Sequence, residues 1–241
     1  METKRYSTVN ELLQDAFQRY RDFPGFTCLG HTMTYGEIDT LSDRFASYLQ
    51  NHTQLQPGDR IAIQLPNLLQ YPVVLYGAIR AGLVIVNTNP LYTARELLHQ
   101  LKDSGARALV VLANVADKAA EVLPQTDVET VIVTQVGDLL PPVKRLLVNG
   151  VVKYIKRAVP SFQFKNSLSL SQALDLGKLP PRPVNVRPES LLLLQYTGGT
   201  TGVAKGAMLT HGNLSANVQQ VLNHMSKLFK TDSQVVAGAL P

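Results

Sequence analysis

Between residues 60 and 134, short apolar runs alternate with segments whose apolar positions recur at helical spacing, and this alternation leaves the chain few architectures. Residues 60–65 read as a strand and 68–81 as a helix closed by Gly82. Residues 83–87 read as a buried strand, followed by a helix that the pair Thr93 and Glu96 opens and Gly105 closes. A strand at 108–112, a helix at 115–123 and a strand at 130–134 complete the series. Strands separated by helices need crossover connections. The expected fold class is therefore α/β, a mainly parallel sheet flanked by helices on both faces.

Upstream, Thr8 and Glu11 are spaced as a capping box ahead of a helix carrying Val9, Leu12, Leu13, Ala16, Phe17 and Tyr20. Residues 26–29 and 32–34 are expected to pair as a hairpin across Gly30 and His31. Thr34 and Glu37 form a further capping box before a helix with Ile38, Leu41, Phe45, Tyr48 and Leu49 on one face, and Pro57 and Gly58 then turn the chain.

The alternation breaks at 137–176. Residues 139–170 hold Lys144, Arg145, Lys153, Lys156, Arg157 and Lys165 and no acidic residue, whereas the chain as a whole has 23 basic and 18 acidic residues. The net charge of +5 is thus a local feature rather than a general coat for nucleic acid, and no stacking platform or recognised module accompanies it. Drawn as one helix, 143–159 places Val143, Leu147, Val151, Tyr154, Ile155 and Ala158 on one face, with Arg145, Lys153, Lys156 and Arg157 on the other. One reading is a surface that meets an anionic membrane. The other is an ordinary helix packed on the core with its basic face in water, which Gly150 and Pro160 favour by interrupting a long helix.

Residues 177–190 form a proline-rich connector. Three units are expected: a first α/β subdomain at 1–176 that includes the basic segment, the connector, and the start of a second subdomain at 191–241. A fresh strand at 234–240 makes the chain read as cut short.

After the connector, the apolar run 191–194 leads into Gln195, Tyr196, Thr197, Gly198, Gly199, Thr200, Thr201, Gly202, Val203, Ala204, Lys205, Gly206 and Ala207. Glycines let backbone N–H groups approach an anion, threonine hydroxyls add donors, and Lys205 adds positive charge. This is a phosphate-binding composition, but not a Walker A loop, because Ala204 and Gly206 flank the lysine. It is not a dinucleotide fingerprint either, because the G-x-G-x-x-G spacing is absent.

The stretch from Tyr196 to Gly206 resembles the phosphate-binding motif of the adenylate-forming superfamily, which comprises acyl-CoA synthetases, luciferases and peptide-synthetase adenylation domains. That motif is usually [YF]-T-S-G-[ST]-T-G-x-P-K-G. Gly198 replaces its serine and Ala204 its proline, and together with Ala207, Met208, Leu209, Thr210 and His211 these resemble bacterial long-chain fatty acyl-CoA synthetases. Residues 58–63, 66–72, 80–82, 89–97 and 151–157 resemble the same subgroup, so the likeness spans nearly the whole chain.

The resemblance implies part of the large N-terminal domain of an enzyme that uses ATP, Mg²⁺ and coenzyme A to convert a long-chain fatty acid to acyl-AMP and then acyl-CoA. It implies that Tyr196 to Ala207 cradle the β- and γ-phosphates on a loosely held loop that closes on ATP and releases pyrophosphate. The adenine, metal and ribose motifs, the hinge, the histidine near the acyl tunnel and the adenylation lysine are expected downstream of residue 241. No catalytic residue is therefore expected here, metal ligands stay unassigned, and the chain alone is expected to be inactive. An acyl-AMP ligase without CoA transfer, and a non-catalytic fragment that binds lipid through 143–159, remain as alternatives.

Other residues give weaker signals. His211 is expected to make a cap-region hydrogen bond at the start of a helix running from Thr210 to residue 227. His31 reads as a turn residue, His52 and His99 as solvated helix positions, and His224 as a surface residue. Asp59 and Arg60 are expected to form a turn with a surface ion pair. The single cysteine, Cys28, reads as a small buried hydrophobe, and no Cys/His cluster has metal-ligand spacing. The first residues lack the apolar stretch of a signal peptide, so a cytoplasmic protein is expected, peripheral on the inner membrane face under the lipid reading.

Overall fold

In the computed structural model, which describes residues 5–197, 204–225, 236 and 238, helix α1 (Val9–Arg19) leads to a hairpin of β1 (Pro24–Cys28) and β2 (His31–Thr34), then to α2 (Tyr35–His52). The capping box of Thr34 and Glu37 is present, each side chain bonding the other residue's backbone N–H. The hairpin turn is one residue earlier than the sequence suggests. Cys28 pairs with His31, and the two turn residues are Leu29 and Gly30, with φ of 50° and 66°. Positive φ at both positions gives the twist a two-residue hairpin needs.

The alternating region forms β3 (Arg60–Gln64), α3 (Gln70–Arg80), β4 (Val84–Asn87), α4 (Ala94–Ser104), β5 (Ala106–Leu112), α5 (Ala116–Val122) and β6 (Thr130–Thr134). After it come α6 (Pro142–Gly150), β7 (Leu168–Ser169), α7 (Leu170–Leu176), β8 (Leu191–Thr197), β9 (Lys205–Thr210) and α8 (His211–Met225). Among the described residues, seven strands form one sheet in the order β7-β6-β5-β3-β4-β8-β9. All neighbours are parallel except β8 and β9, so the sheet is mainly parallel with helices on both faces. The connector at 177–190 leads to the far side of this sheet, where residues 191–210 join strands built by the residues before it.

Period-2 alternation divides the two faces. Ile61, Ile63, Ile85, Val110 and Ile132 pack with Phe45, Val73, Ala78 and Leu170 of α2, α3 and α7. Ala62, Val86, Leu109, Val111 and Val131 point the other way, against Leu97 and Leu101 of α4 and Ala119 of α5. Asp59 does not pair with Arg60. Its carboxylate accepts from Arg107 at 2.6 Å, while Arg60 Nε donates to the Ser104 carbonyl at 3.0 Å.

The segment 143–159 departs from the single continuous helix and from the core-packed reading of its apolar face. Helix α6 ends at Gly150 and continues as a π turn, Val151–Ile155, in which Lys156 N–H reaches the Val151 carbonyl at 2.8 Å. The apolar side also does not pack on the core. Val143, Leu146, Leu147, Tyr154 and Ile155 are 73%, 76%, 62%, 72% and 75% exposed. Val148 packs against the core instead, and Asn149 accepts from Gly137 N–H at 2.7 Å and donates to Asp138 at 3.1 Å. Those two anchors fix the rotation of the helix and turn its apolar face outward. The wider π turn advances each residue by less than an α turn, which keeps Tyr154 and Ile155 on that outward side.

Candidate functional site at the carboxyl edge of the sheet

Strand β3 feeds α3 onto one face of the sheet, and its neighbour β4 feeds α4 onto the other. Connections that part in this way leave a crevice at the carboxyl ends of the two strands, where open α/β sheets bind ligands. A cleft of about 540 Å³ lies there, lined by Ile63 and Leu65 at the end of β3, Asn87, Thr88 and Asn89 at the end of β4, and Gln195 and Tyr196 of β8, with Asn67, Tyr71, Pro90 and Tyr92 completing the wall. Asn87 ties the strands together. Its Oδ1 accepts from the Tyr71 hydroxyl at 3.0 Å, its Nδ2 donates to Gln195 at 3.3 Å, and its carbonyl accepts from Gln100 Nε2 at 2.9 Å. Burial raises the Tyr71 phenol above its ordinary value, against a smaller lowering by Asn87, so the wall is neutral and hydrogen-bonding. An isolated amide carries no spacing signature, so nothing in the sequence marks Asn87 as the residue that ties this wall together.

The glycine-rich segment springs from the same edge. Tyr196, Thr197, Ala204, Lys205, Gly206 and Ala207 are described, whereas Gly198, Gly199, Thr200, Thr201, Gly202 and Val203, and with them the expectation of a loosely held loop, lie outside the described residues. Strand β9, not apparent in the sequence, runs back antiparallel to β8, pairing Thr197 with Lys205, Tyr196 with Gly206 and Gln195 with Ala207. The segment's neck is therefore a two-stranded ribbon. Thr197 and Lys205 face each other across it, both exposed, and among the described residues no carboxylate pairs with Lys205. An exposed ammonium beside a hydroxyl and a glycine-rich segment can receive an anion without breaking an existing ion pair.

Tyr196 points the other way and is only 7% exposed. Its hydroxyl donates to Asp103 at 2.6 Å, and burial followed by this bond raises its pKa well above the ordinary tyrosine value. On the returning strand, His99 Nε2 lies 3.1 Å from the Ala204 carbonyl, so His99 is a contact of the neck rather than a solvated helix position. Gly206 is small because Tyr196 lies across it, and a Cβ there would sit 3.0 Å from the ring.

His211 behaves differently from expectation. Thr210 and Asn213 cap α8 reciprocally at 3.1 Å each way, while the His211 ring is 2% exposed and its Nδ1 finds no partner among the described residues. Burial lowers its pKa. Residue 227, the expected end of this helix, and all but Val236 and Gly238 of the expected strand at 234–240 lie outside the described residues. Among the described residues no group of three or more His, Cys, Asp or Glu side chains could hold a metal ion. No described helix is long and apolar enough to cross a membrane.

The sequence matches the AMP-binding enzyme family over residues 13–241. It is 48% identical to a long-chain-fatty-acid–CoA ligase of Salmonella typhimurium, over 98% of this chain and 42% of that protein. The chain therefore spans well under half the length of this relative. Among solved structures it resembles a long-chain-fatty-acid–CoA ligase from Archaeoglobus fulgidus, with TM-score 0.68 and 28% identity over 90% of this chain and 39% of that one. A putative ligase of the same description from Rhodopseudomonas palustris shares the fold at TM-score 0.76 and 17% identity, over 97% of this chain and 51% of that one.

Proposed function

Given that this chain belongs to the AMP-binding enzyme family, we propose that it is the N-terminal portion of an ATP-dependent long-chain fatty acid–CoA ligase. In that reaction a fatty carboxylate attacks the α-phosphate of ATP, forming acyl-AMP and releasing pyrophosphate. The thiol of coenzyme A then attacks the acyl carbon and AMP leaves. The reading is carried by the neck of the glycine-rich segment, where Thr197 and Lys205 are paired and exposed at the carboxyl edge of the sheet beside the cleft. The residues from Tyr196 to Ala207 hold the β- and γ-phosphates, with backbone N–H groups, the hydroxyls of Thr197, Thr200 and Thr201, and the Lys205 ammonium as donors. These donors stabilise charge on the departing pyrophosphate. Magnesium, when bound to the nucleotide, would add charge neutralisation. The long-chain fatty acid is the substrate by analogy with the relatives.

The test is pyrophosphate exchange in a full-length ligase that begins with this sequence. Lys205→Ala should lower exchange by about 10²-fold, the scale of one lost transition-state donor. Exchange at the parental rate would remove Lys205, and the phosphate-loop reading with it.

A separate observation supports a peripheral contact with anionic membrane. Each large aliphatic side chain kept in water forgoes about 1.5–3 kcal/mol of burial, and the outward face of α6 and its π turn presents several together. Lys144, Arg145, Lys153, Lys156 and Arg157 belong to the same segment, and acidic residues are absent from 139–170. Such a face suits a phosphatidylglycerol-containing surface, apolar side chains entering and basic ones meeting headgroups. The chain should co-sediment with phosphatidylglycerol vesicles and not with phosphatidylcholine ones, and both Leu147→Asp and charge reversal at Lys153, Lys156 and Arg157 should reduce binding. Equal sedimentation of all forms would rule this contact out.

A further inference from the structure

The two ends of the glycine-rich segment reach the same helix. On the outgoing side, the Tyr196 hydroxyl donates to Asp103 at 2.6 Å. On the returning side, the Ala204 carbonyl meets His99 Nε2 at 3.1 Å. His99 and Asp103 are four residues apart on α4, so they share one side of the helix. The helix is itself immobilised. Thr93 and Glu96 form a capping box at its start, Leu97 and Leu101 are buried in the core, and the buried Gln100 amide donates to the Asn87 carbonyl at the end of β4.

Neither bond is needed to form the sheet. The β8–β9 ladder supplies its own backbone bonds, and β8 pairs with β4 independently. The two side-chain bonds add lateral position. They hold Tyr196, the residue before Thr197, and Ala204, the residue before Lys205, at fixed places along α4.

Resting on the phosphate-loop reading above, we infer that His99 and Asp103 are positioning residues for that loop, with α4 setting where Thr197 and Lys205 are presented to the polyphosphate. The bond to Asp103 is charge-assisted and the stronger of the two. The bond to His99 requires Nε2 to carry the proton, because a carbonyl can only accept. Neither side chain touches the phosphates in this scheme. Both act by reducing the number of arrangements the neck can adopt before the anion arrives.

The experiment uses the chain itself, with magnesium tripolyphosphate as the probe in titration calorimetry and amide hydrogen exchange read at residues 204–207. Lys205→Ala serves as the control for the phosphate-loop reading. Asp103→Leu should weaken tripolyphosphate binding by about tenfold or more, the scale of one hydrogen bond to a charged group, and His99→Leu by about threefold to tenfold, the scale of a neutral one. Both should speed exchange at 204–207. His99→Gln and Asp103→Asn, which can restore the bonds, should recover most of the affinity. Tyr196→Phe combined with Asp103→Leu should be no weaker than either alone.

If Lys205→Ala abolishes binding while both leucine variants bind like the parent, the positioning role is overturned and the phosphate-loop reading stands. Equal losses in the leucine and conservative variants, together with lowered melting temperature, would make these residues merely structural and also overturn it. If the parent does not bind tripolyphosphate, or Lys205→Ala binds like the parent, the phosphate-loop reading fails and this inference fails with it.

Discussion

Gly206 stands directly opposite Tyr196 in the antiparallel neck, and the space where its side chain would begin is filled by the Tyr196 ring, 3.0 Å from the position of a Cβ. The ring cannot retreat freely, because its hydroxyl is held by Asp103. Gly206→Ala should therefore destabilise the chain by about 1–3 kcal/mol, the usual cost of overpacking. Chemical denaturation measures this. Gly206→Ala combined with Tyr196→Leu should recover part of the loss, and no recovery would place the strain elsewhere.

Much of the fold can be read from periodicity and capping, because these are local. β6 falls on the expected 130–134, and α4 begins after Thr93 and ends before Gly105, which has φ of 60°. What escaped detection depends on partners distant in sequence. β9 has no apolar alternation of its own and is a strand because β8 offers it an edge. His99 looked solvated because its partner Ala204 is 105 residues away, and Asp103 drew no notice because Tyr196 is 93 residues away. The motif from Tyr196 to Lys205 was visible as chemistry, whereas the amide-lined cleft beside it was not.

The outward rotation of α6 makes a contrast that stability measurements can read. Leu147 is mostly in water, so Leu147→Ala should change unfolding free energy by no more than about 0.5 kcal/mol. Leu97 on α4 is fully buried, and Leu97→Ala should cost about 2–5 kcal/mol. Comparable losses at the two sites would mean that α6 packs its apolar face inward after all.

His211 ties stability to pH. Its folded pKa lies below the ordinary histidine value because the ring is buried. As pH falls through about 6.5, the unfolded chain takes up a proton that the folded chain refuses, so the unfolded state gains. Melting temperature should decline as pH drops from that point toward the lowered folded pKa, and the decline should be shallower in His211→Leu. Parallel curves for the two proteins would assign the pH dependence to other groups.

The chain alone should not make acyl-CoA. The chain covers 42% of its Salmonella typhimurium relative, and the resemblance puts the adenine and acyl-tunnel motifs and the adenylation lysine beyond residue 241. Purified chain incubated with ATP, magnesium, oleate and coenzyme A should yield no oleoyl-CoA above a protein-free control. Measurable turnover would show that the 241 residues already contain a complete catalytic set.

The reversal of β8 into β9 also decides what kind of electrostatics the loop can use. In a strand–loop–helix phosphate site, the anion sits on the positive end of a helix macrodipole, a fixed source of charge. Here a strand follows the loop, and α8 does not begin until His211, at the far end of β9. The positive charge comes from the terminus of a lysine side chain, a point charge with many rotamers standing in water. Its attraction is screened by ions over roughly 10 Å at 0.1 M salt. On the proposed phosphate-loop reading, polyphosphate affinity should therefore weaken with ionic strength more steeply than at a dipole-based site, and pyrophosphate should leave faster as salt rises.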